Sequence, residues 1–168
     1  LPVIAMDGAI LFDVKDNRYL KVYEMTYSET KEFLELFKEN NLHCFVNVVV
    51  EDSVIIYYDD FKNEVETRIY DTLRSSPYRN YIKEELPERY GAVYLMLIDE
   101  NKKIENLYSQ MKELGYTERF KILKYSSDDF PGYSYIKVYN KKAIKENMIQ
   151  YIKELTKADD IIILESIK

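Results

Sequence analysis

A chain of 168 residues with 46% hydrophobic, 14% aromatic and 32% charged side chains holds enough apolar surface for one or two small cores, which excludes intrinsic disorder. A net charge of −6 and an isoelectric point near 5.0 argue against a dedicated nucleic-acid binder, because neutralising phosphates needs a basic face. The single cysteine, Cys44, cannot close an internal disulfide. No apolar run approaches the roughly 20 residues of a membrane span, and no basic-then-apolar leader opens the chain, so the expected location is cytoplasmic, with neither nucleic acid nor membrane as partner.

The chain opens on Leu1-Pro2-Val3-Ile4-Ala5-Met6, an apolar strand. Met6-Asp7-Gly8-Ala9 then reads as a hairpin with a two-residue Asp-Gly turn, and Ile10 to Phe12 forms the return strand. Asp16-Asn17 turns into a third strand at Tyr19 to Glu24. Thr26 with Glu29 three residues on is a capping box, opening a helix with Phe33, Leu34, Leu36 and Phe37 on one side that ends near Asn40-Asn41. His43 to Val50 and Val54 to Tyr58 are β-branched and aromatic runs around Glu51-Asp52-Ser53, a second hairpin.

Asp59 or Asp60 is the expected cap of a helix carrying Val65, Ile69 and Leu73, ended by Ser75-Ser76-Pro77. Tyr78 to Arg89 has no period. Gly91 to Ile98 reads as a strand, Asn101 as the cap of a helix through Ile104, Leu107, Tyr108, Met111 and Leu114, and Gly115 as its stop. Strands at Phe120 to Tyr125 and Tyr133 to Tyr139 flank a polar loop. Asn140 is the expected cap of a last helix with Ile144, Met148, Ile152 and Leu155 on one face, and Asp159-Asp160 leads into a closing strand at Ile161-Ile162-Ile163-Leu164. Both ends thus fall on runs that read as buried strands, which need neighbours on both sides, so a piece of a larger protein is expected. The order of elements favours an α+β class, an open mixed or antiparallel sheet with helices packed on one face, while the last helix and strand read more like the tail of a parallel α/β unit.

Residues able to do chemistry are sparse. His43 stands in an apolar run beside Cys44, and one His with one Cys is too few for a usual zinc site. Four glycines form no phosphate loop. The pairs Asp59-Asp60, Asp128-Asp129 and Asp159-Asp160 could collect a divalent cation, but each falls at a turn or helix edge where Asp serves as a cap. The stretch Tyr78-Arg79-Asn80-Tyr81 sets a guanidinium among phenols, which suits phosphate or carboxylate binding; the plainer reading is a solvated loop.

Three stretches together resemble the haloacid-dehalogenase-like (HAD) phosphatases of the Cof type, which carry a subclass IIB cap. Val3 to Asp13 is similar to the family's apolar strand, Asn-Gly-Ala and second strand, with Asp7 where Asn is usual. The order of elements from Thr26 to Tyr139 resembles that cap, and Tyr135 to Asn147 resembles the return from cap to core. The resemblance makes Lys145 the lysine that neutralises the aspartyl nucleophile and the bound phosphate. The family's Asp-x-Asp-x-Thr has no counterpart in this chain, and its Gly-Asp metal motif falls on Leu164-Glu165-Ser166, where Gly is absent and Glu replaces Asp.

The resemblance therefore implies a magnesium-dependent phosphatase of small phosphorylated metabolites as the parent. By the resemblance this chain is an α+β fragment, chiefly the cap at 23–140, flanked by remnants of a Rossmann-like α/β core: a hairpin segment at 1–22 and a helix and strand at 141–168. It is expected to be inactive alone, to hold no cofactor or metal of its own, and to be able to form a homodimer through exposed core strands. Tyr78, Arg79 and Tyr81 are the expected substrate-facing residues, and Lys145 the expected catalytic one. The competing expectation is a non-catalytic α+β ligand-binding or protein-interaction module.

Overall fold

Three successive left-handed residues, Met6 (φ 49°), Asp7 (φ 53°) and Gly8 (φ 98°), reverse the chain between its first two strands. In the computed structural model, which describes residues 1–162 and 164, β1 (Pro2–Ala5) pairs antiparallel with β2 (Ile10–Asp13), Ala5 opposite Ile10. The reversal therefore spans Met6 to Ala9 as a single 3-10 turn, longer than the expected two-residue Asp-Gly turn. β3 (Arg18–Val22) completes a three-stranded antiparallel sheet.

The Thr26–Glu29 capping box forms as expected, with backbone-to-side-chain hydrogen bonds of 2.9 and 3.0 Å opening α1 (Tyr27–Glu39). Beyond it, β4 (Phe45–Val50), β5 (Ser53–Tyr57), β6 (Arg79–Ile82), β7 (Tyr94–Glu100), β8 (Phe120–Ser126) and β9 (Tyr133–Asn140) build a second sheet, ordered β6-β5-β4-β7-β9-β8. Its pairings are antiparallel except β5 with β6, which run parallel on either side of α2 (Glu64–Leu73). α3 (Asn101–Glu113) precedes a short α4 (Tyr116–Arg119), and α5 (Lys145–Thr156) follows β9.

Several local expectations are corrected. The stretch at Tyr78 to Arg89 contains β6, an edge strand too short to show a period and held in place by its register with β5. Asn63, not Asp59 or Asp60, caps α2, its Oδ1 accepting from Glu66 N at 2.9 Å, while Asp60 pairs with Lys83 at 2.8 Å. Asn101 is the first residue of α3 and bonds to Ser134, so no side chain caps that helix. Asn140 accepts from Lys142 N at 2.9 Å, ahead of α5 and not at its cap. α4 was not expected, and Leu114 is exposed. Ile161, Ile162 and Leu164 lie in no strand; a buried strand exists only through its pairing, and no described strand pairs with them. Ile163 and Glu165-Ser166, where the metal motif was expected, lie outside the described residues.

The six-stranded sheet has two different faces. On one, Val46, Val48, Leu95, Leu97, Ile136 and Val138 pack against Phe33 and Phe37 of α1 and Ile104, Leu107 and Met111 of α3. On the other, Phe45, Val54, Ile56, Tyr94 and Tyr139 meet the first hairpin through Met6, Ala9, Ile10 and Tyr19. Tyr70 of α2 packs on Tyr58 and Tyr81, with ring centroids 5.1 and 5.3 Å away. This is the α+β, open mixed-sheet class that the sequence predicts, and no described helix is long and apolar enough to cross a membrane.

Tyr116 yields a pH prediction. Its hydroxyl donates to Glu32 Oε1 at 2.8 Å and its ring meets Phe33 edge-on at 4.8 Å. Burial, then that hydrogen bond and the Glu32 charge, push its pKa up from 10.0 to about 12. The folded state favours the neutral phenol, so this contribution is whole below the unfolded value and is lost as pH rises through the folded one. Urea midpoints should fall between pH 10 and about 12, and Tyr116→Phe should shallow that fall; an identical slope in the variant would refute the coupling.

Candidate functional site

The register draws one row of side chains across six strands: Tyr81, Ile56, Asn47, Tyr94, Tyr139 and Lys121. Cross-strand partners share a face, and the buried residues of this row lie on the side that packs against the hairpin. At its β8–β9 end the row reaches the hairpin tip. The Tyr139 hydroxyl donates to Asp7 Oδ2, and Lys121 Nζ donates to the Asp7 carbonyl and, at 2.8 Å, to the Ala143 carbonyl. Three separate segments are thereby tied at one point: the hairpin, the sheet and the approach to α5.

Gly8 makes that junction close. At φ +98° it has the left-handed freedom the turn needs, and a Cβ there would stand 2.9 Å from the Ile144 backbone and 3.0 Å from Lys145 N. Burial raises the Tyr139 pKa far above the ordinary phenol value, and the hydrogen bond to Asp7 and its charge raise it further, so Tyr139 remains a neutral donor. Burial pulls the Lys121 pKa down, opposed by the Asp7 and Glu146 charges.

The four sequence-predicted residues fall in three places. Lys145 is the first residue of α5, beside Gly8, where first-turn N–H groups and the helix dipole favour an anion. Arg79 and Tyr81 pair with Val54 and Ile56, so both sit on the hairpin-facing side of the sheet. Together with Tyr70 and Arg74 they also border a cavity of about 690 Å³ along the β6 edge. Tyr78 precedes the strand and is 82% exposed, away from this group.

Sequence reasoning missed Asp7, Tyr94, Lys121, Lys137 and Tyr139. The available signal was parity: Lys121, Leu123 and Tyr125 on β8, and Tyr135, Lys137 and Tyr139 on β9, alternate onto one face, and lysines inside an aromatic strand face call for an explanation. Half-buried Lys137 lies 5.6 Å from the Tyr125 ring centroid and 5.9 Å from that of Tyr94. Burial lowers its pKa, yet the hydrogen bond with Tyr125 and the electrostatic interactions with Tyr125, Tyr94 and Asp7 carry it above the ordinary lysine value.

His43 is a satisfied core histidine. Its Nδ1 meets Glu66 Oε2, and its Nε2 accepts from Asp59 N at 3.2 Å, so both ring nitrogens are committed. Among the described residues no group of three or more His, Cys, Asp or Glu side chains converges as a metal site.

The model of the haloacid dehalogenase-like hydrolase family matches residues 1–163. No curated protein sequence matches the chain. Among solved structures, the TM0651 protein of Thermotoga maritima superposes with a TM-score of 0.67 at 23% identity, covering 94% of this chain and 54% of that one. A haloacid dehalogenase-like hydrolase from B. subtilis gives 0.60 at 15% identity, covering 93% and 59%. BT1666 from Bacteroides thetaiotaomicron, described among phosphatases of the haloalkanoate enzyme superfamily, gives 0.59 at 13%, covering 94% and 52%. The chain spans little more than half the length of these structures, and at such identities they establish the fold alone.

Proposed function

The chain belongs to the haloacid dehalogenase-like hydrolase family, and from that membership we propose that it is the cap of a Cof-type phosphatase with adjoining pieces of its core. The parent acts with magnesium, in the cytoplasm, on a small phosphorylated metabolite. The observation that carries this reading is the junction of Gly8 with the start of α5, which holds Lys145 at a helix N-terminus beside the hairpin-facing side of the sheet.

Within this reading each residue has a bounded task. Lys145 and the first-turn amides hold the phosphate and offset its charge. Arg79 and Tyr81 bind the substrate from the sheet, whose approach excludes water and selects the leaving group. The carboxylate nucleophile and the magnesium ligands come from segments outside these 168 residues, since covalent phosphoryl transfer needs both. The isolated chain accordingly binds anions without turning them over.

Sequencing the coding DNA on both sides of this segment tests the reading. An in-frame Asp-x-Asp-x-Thr upstream and an acidic motif just downstream are expected. The protein expressed with them should hydrolyse phosphate monoesters with magnesium, and Lys145→Ala should lower kcat/KM by about 100-fold or more. Arg79→Ala should raise KM; unchanged kinetics across several esters would remove it from the site. A natural start and stop at these ends, or an upstream motif without its first Asp, would instead favour the second reading, a ligand-binding module, which the lack of any Asp-x-Asp in this sequence keeps open.

A further inference from the structure

The start of α5 is not fixed by its own cap. Ile144 stands at the N-cap and offers no side-chain hydrogen bond, and Asn140 accepts from Lys142 N instead. Farther along, the helix body is held by buried Met148 and by the Tyr151 hydroxyl, which donates to the Leu20 carbonyl at 3.3 Å. Ahead of the helix, Asn140 Nδ2 donates to the Glu24 carbonyl at 2.9 Å and Lys141 Nζ to the Glu118 carbonyl at 2.7 Å. Between these anchors, the backbone at Ala143 meets Lys121.

Lys121 reaches this stretch from β8 of the six-stranded sheet. Its ammonium donates to the Ala143 carbonyl at 2.8 Å and to the Asp7 carbonyl. These two carbonyls flank the tightest approach of the junction: Asp7 precedes Gly8, Ala143 precedes Ile144, and a Gly8 Cβ would stand 2.9 Å from the Ile144 backbone and 3.0 Å from Lys145 N. One cation thus holds both walls of the crevice at which α5 begins. Ala143 is 0% exposed, so water has no access to replace the ammonium, and a buried carbonyl deprived of its donor is costly. Glu146, the second residue of α5, and Asp7 both act electrostatically on the same ammonium. Lys121 therefore also offsets a carboxylate that would repel an anion from the first turn.

We propose that Lys121 is a positioning residue: through its two carbonyl bonds the six-stranded sheet sets the start of α5, and with it the hold of Lys145 on a phosphate. The task of Lys145 rests on the phosphatase reading; the inference deepens that reading by naming the residue that acts through Lys145 without touching substrate. Both bonds run from the sheet to segments outside it, so drawing the sheet away from the hairpin breaks them together, and the anion affinity of Lys145 follows the seating of the sheet. Lys124 is the contrast. It stands on the same strand but on the opposite face, paired with Glu105 of α3 at 2.5 Å.

Amide hydrogen exchange and a titration with inorganic phosphate, both followed residue by residue by NMR on the 168-residue chain, test it. Lys121→Met keeps the packed stem and removes the ammonium. It should speed exchange at Asn147 and Met148, whose N–H groups bond to the Ile144 carbonyl, and leave the amides of β4 and β7 unchanged. Phosphate should bind at least about tenfold more weakly, the cost of a lost hydrogen bond to a charged group. Lys121→Arg, which keeps the charge and the donors, should restore the affinity to within about threefold, and Lys124→Met should alter neither readout. Lys121→Gln, too short to reach both carbonyls, replaces the Met variant if that variant loses its circular dichroism signal. Unchanged exchange at the start of α5, unchanged phosphate affinity beside faster exchange, no recovery with arginine, or an equal loss in Lys124→Met would each overturn the proposal. If the unsubstituted chain binds no phosphate while Lys121→Met still loosens the start of α5, the phosphatase reading fails and the positioning of α5 by Lys121 stands.

Discussion

Gly91→Ala is expected to destabilise the protein by more than about 3 kcal/mol. A Cβ at this position would stand 1.6 Å from the Met25 carbonyl oxygen. That oxygen cannot move aside freely. Met25 N donates to the Ala92 carbonyl at 2.8 Å, Ala92 N donates to Thr30 Oγ1 at 3.1 Å, and Thr30 bonds back to the Thr26 carbonyl within the first turn of α1. Relieving the overlap would break the crossing between the residues that cap α1 and those that lead into β7. Gly115→Ala is the control: at φ +76° with no atom within 4 Å, it carries only left-handed strain of about 1 kcal/mol. Urea unfolding of both variants decides the matter, and equal midpoints would show that the crossing yields.

Glu66→Ala should cost about 3–5 kcal/mol, the usual effect of breaking a buried pair by removing one partner. The Glu66 and His43 side chains are 1% and 3% exposed. Besides His43, the Glu66 carboxylate accepts from Lys62 N at 2.8 Å and from Asn63 Nδ2 at 3.2 Å. Truncation strands the buried His43 Nδ1 donor and takes one acceptor from Lys62 N and from Asn63 Nδ2, the latter keeping its bonds to Ile98 O and Asp99 Oδ2. Glu66→Gln retains an acceptor for part of this network and should cost less. A double-mutant cycle with His43→Ala measures the pair itself, where a coupling of at least about 1 kcal/mol is expected. Additive losses would mean that the contact contributes nothing beyond burial of its two members.

The helices were legible because their determinants are local. Thr26 and Glu29 announce the start of α1, and Ile104, Leu107 and Met111 keep helical spacing on the buried side of α3. The hairpins at β1–β2 and β4–β5 were equally plain from apolar runs around short polar turns. Caps were read less well. Asp59 and Asp60 suit a cap as residue types, and so does Asn63, and only the approach of Asn63 to Ile98 and Asp99 selects among them.

For the candidate site the divide is sharper. Lys145 and the Tyr78–Tyr81 stretch could be singled out from residue type and resemblance, and the family model carries that resemblance across residues 1–163. Composition and pattern by themselves determined an acidic, aromatic-rich α+β protein and most of its strands and helices, though not β6 or α4. The tertiary structure alone decided that β6 pairs parallel to β5, which turns Arg79 and Tyr81 toward the hairpin and leaves Tyr78 in solvent. It alone set Asp7 against Tyr139, 132 residues apart, and Lys137 beside Tyr94. The physical reason is that strand register is a long-range choice: a shift of one residue moves every side chain to the opposite face, and no local interaction energy records which face will be covered.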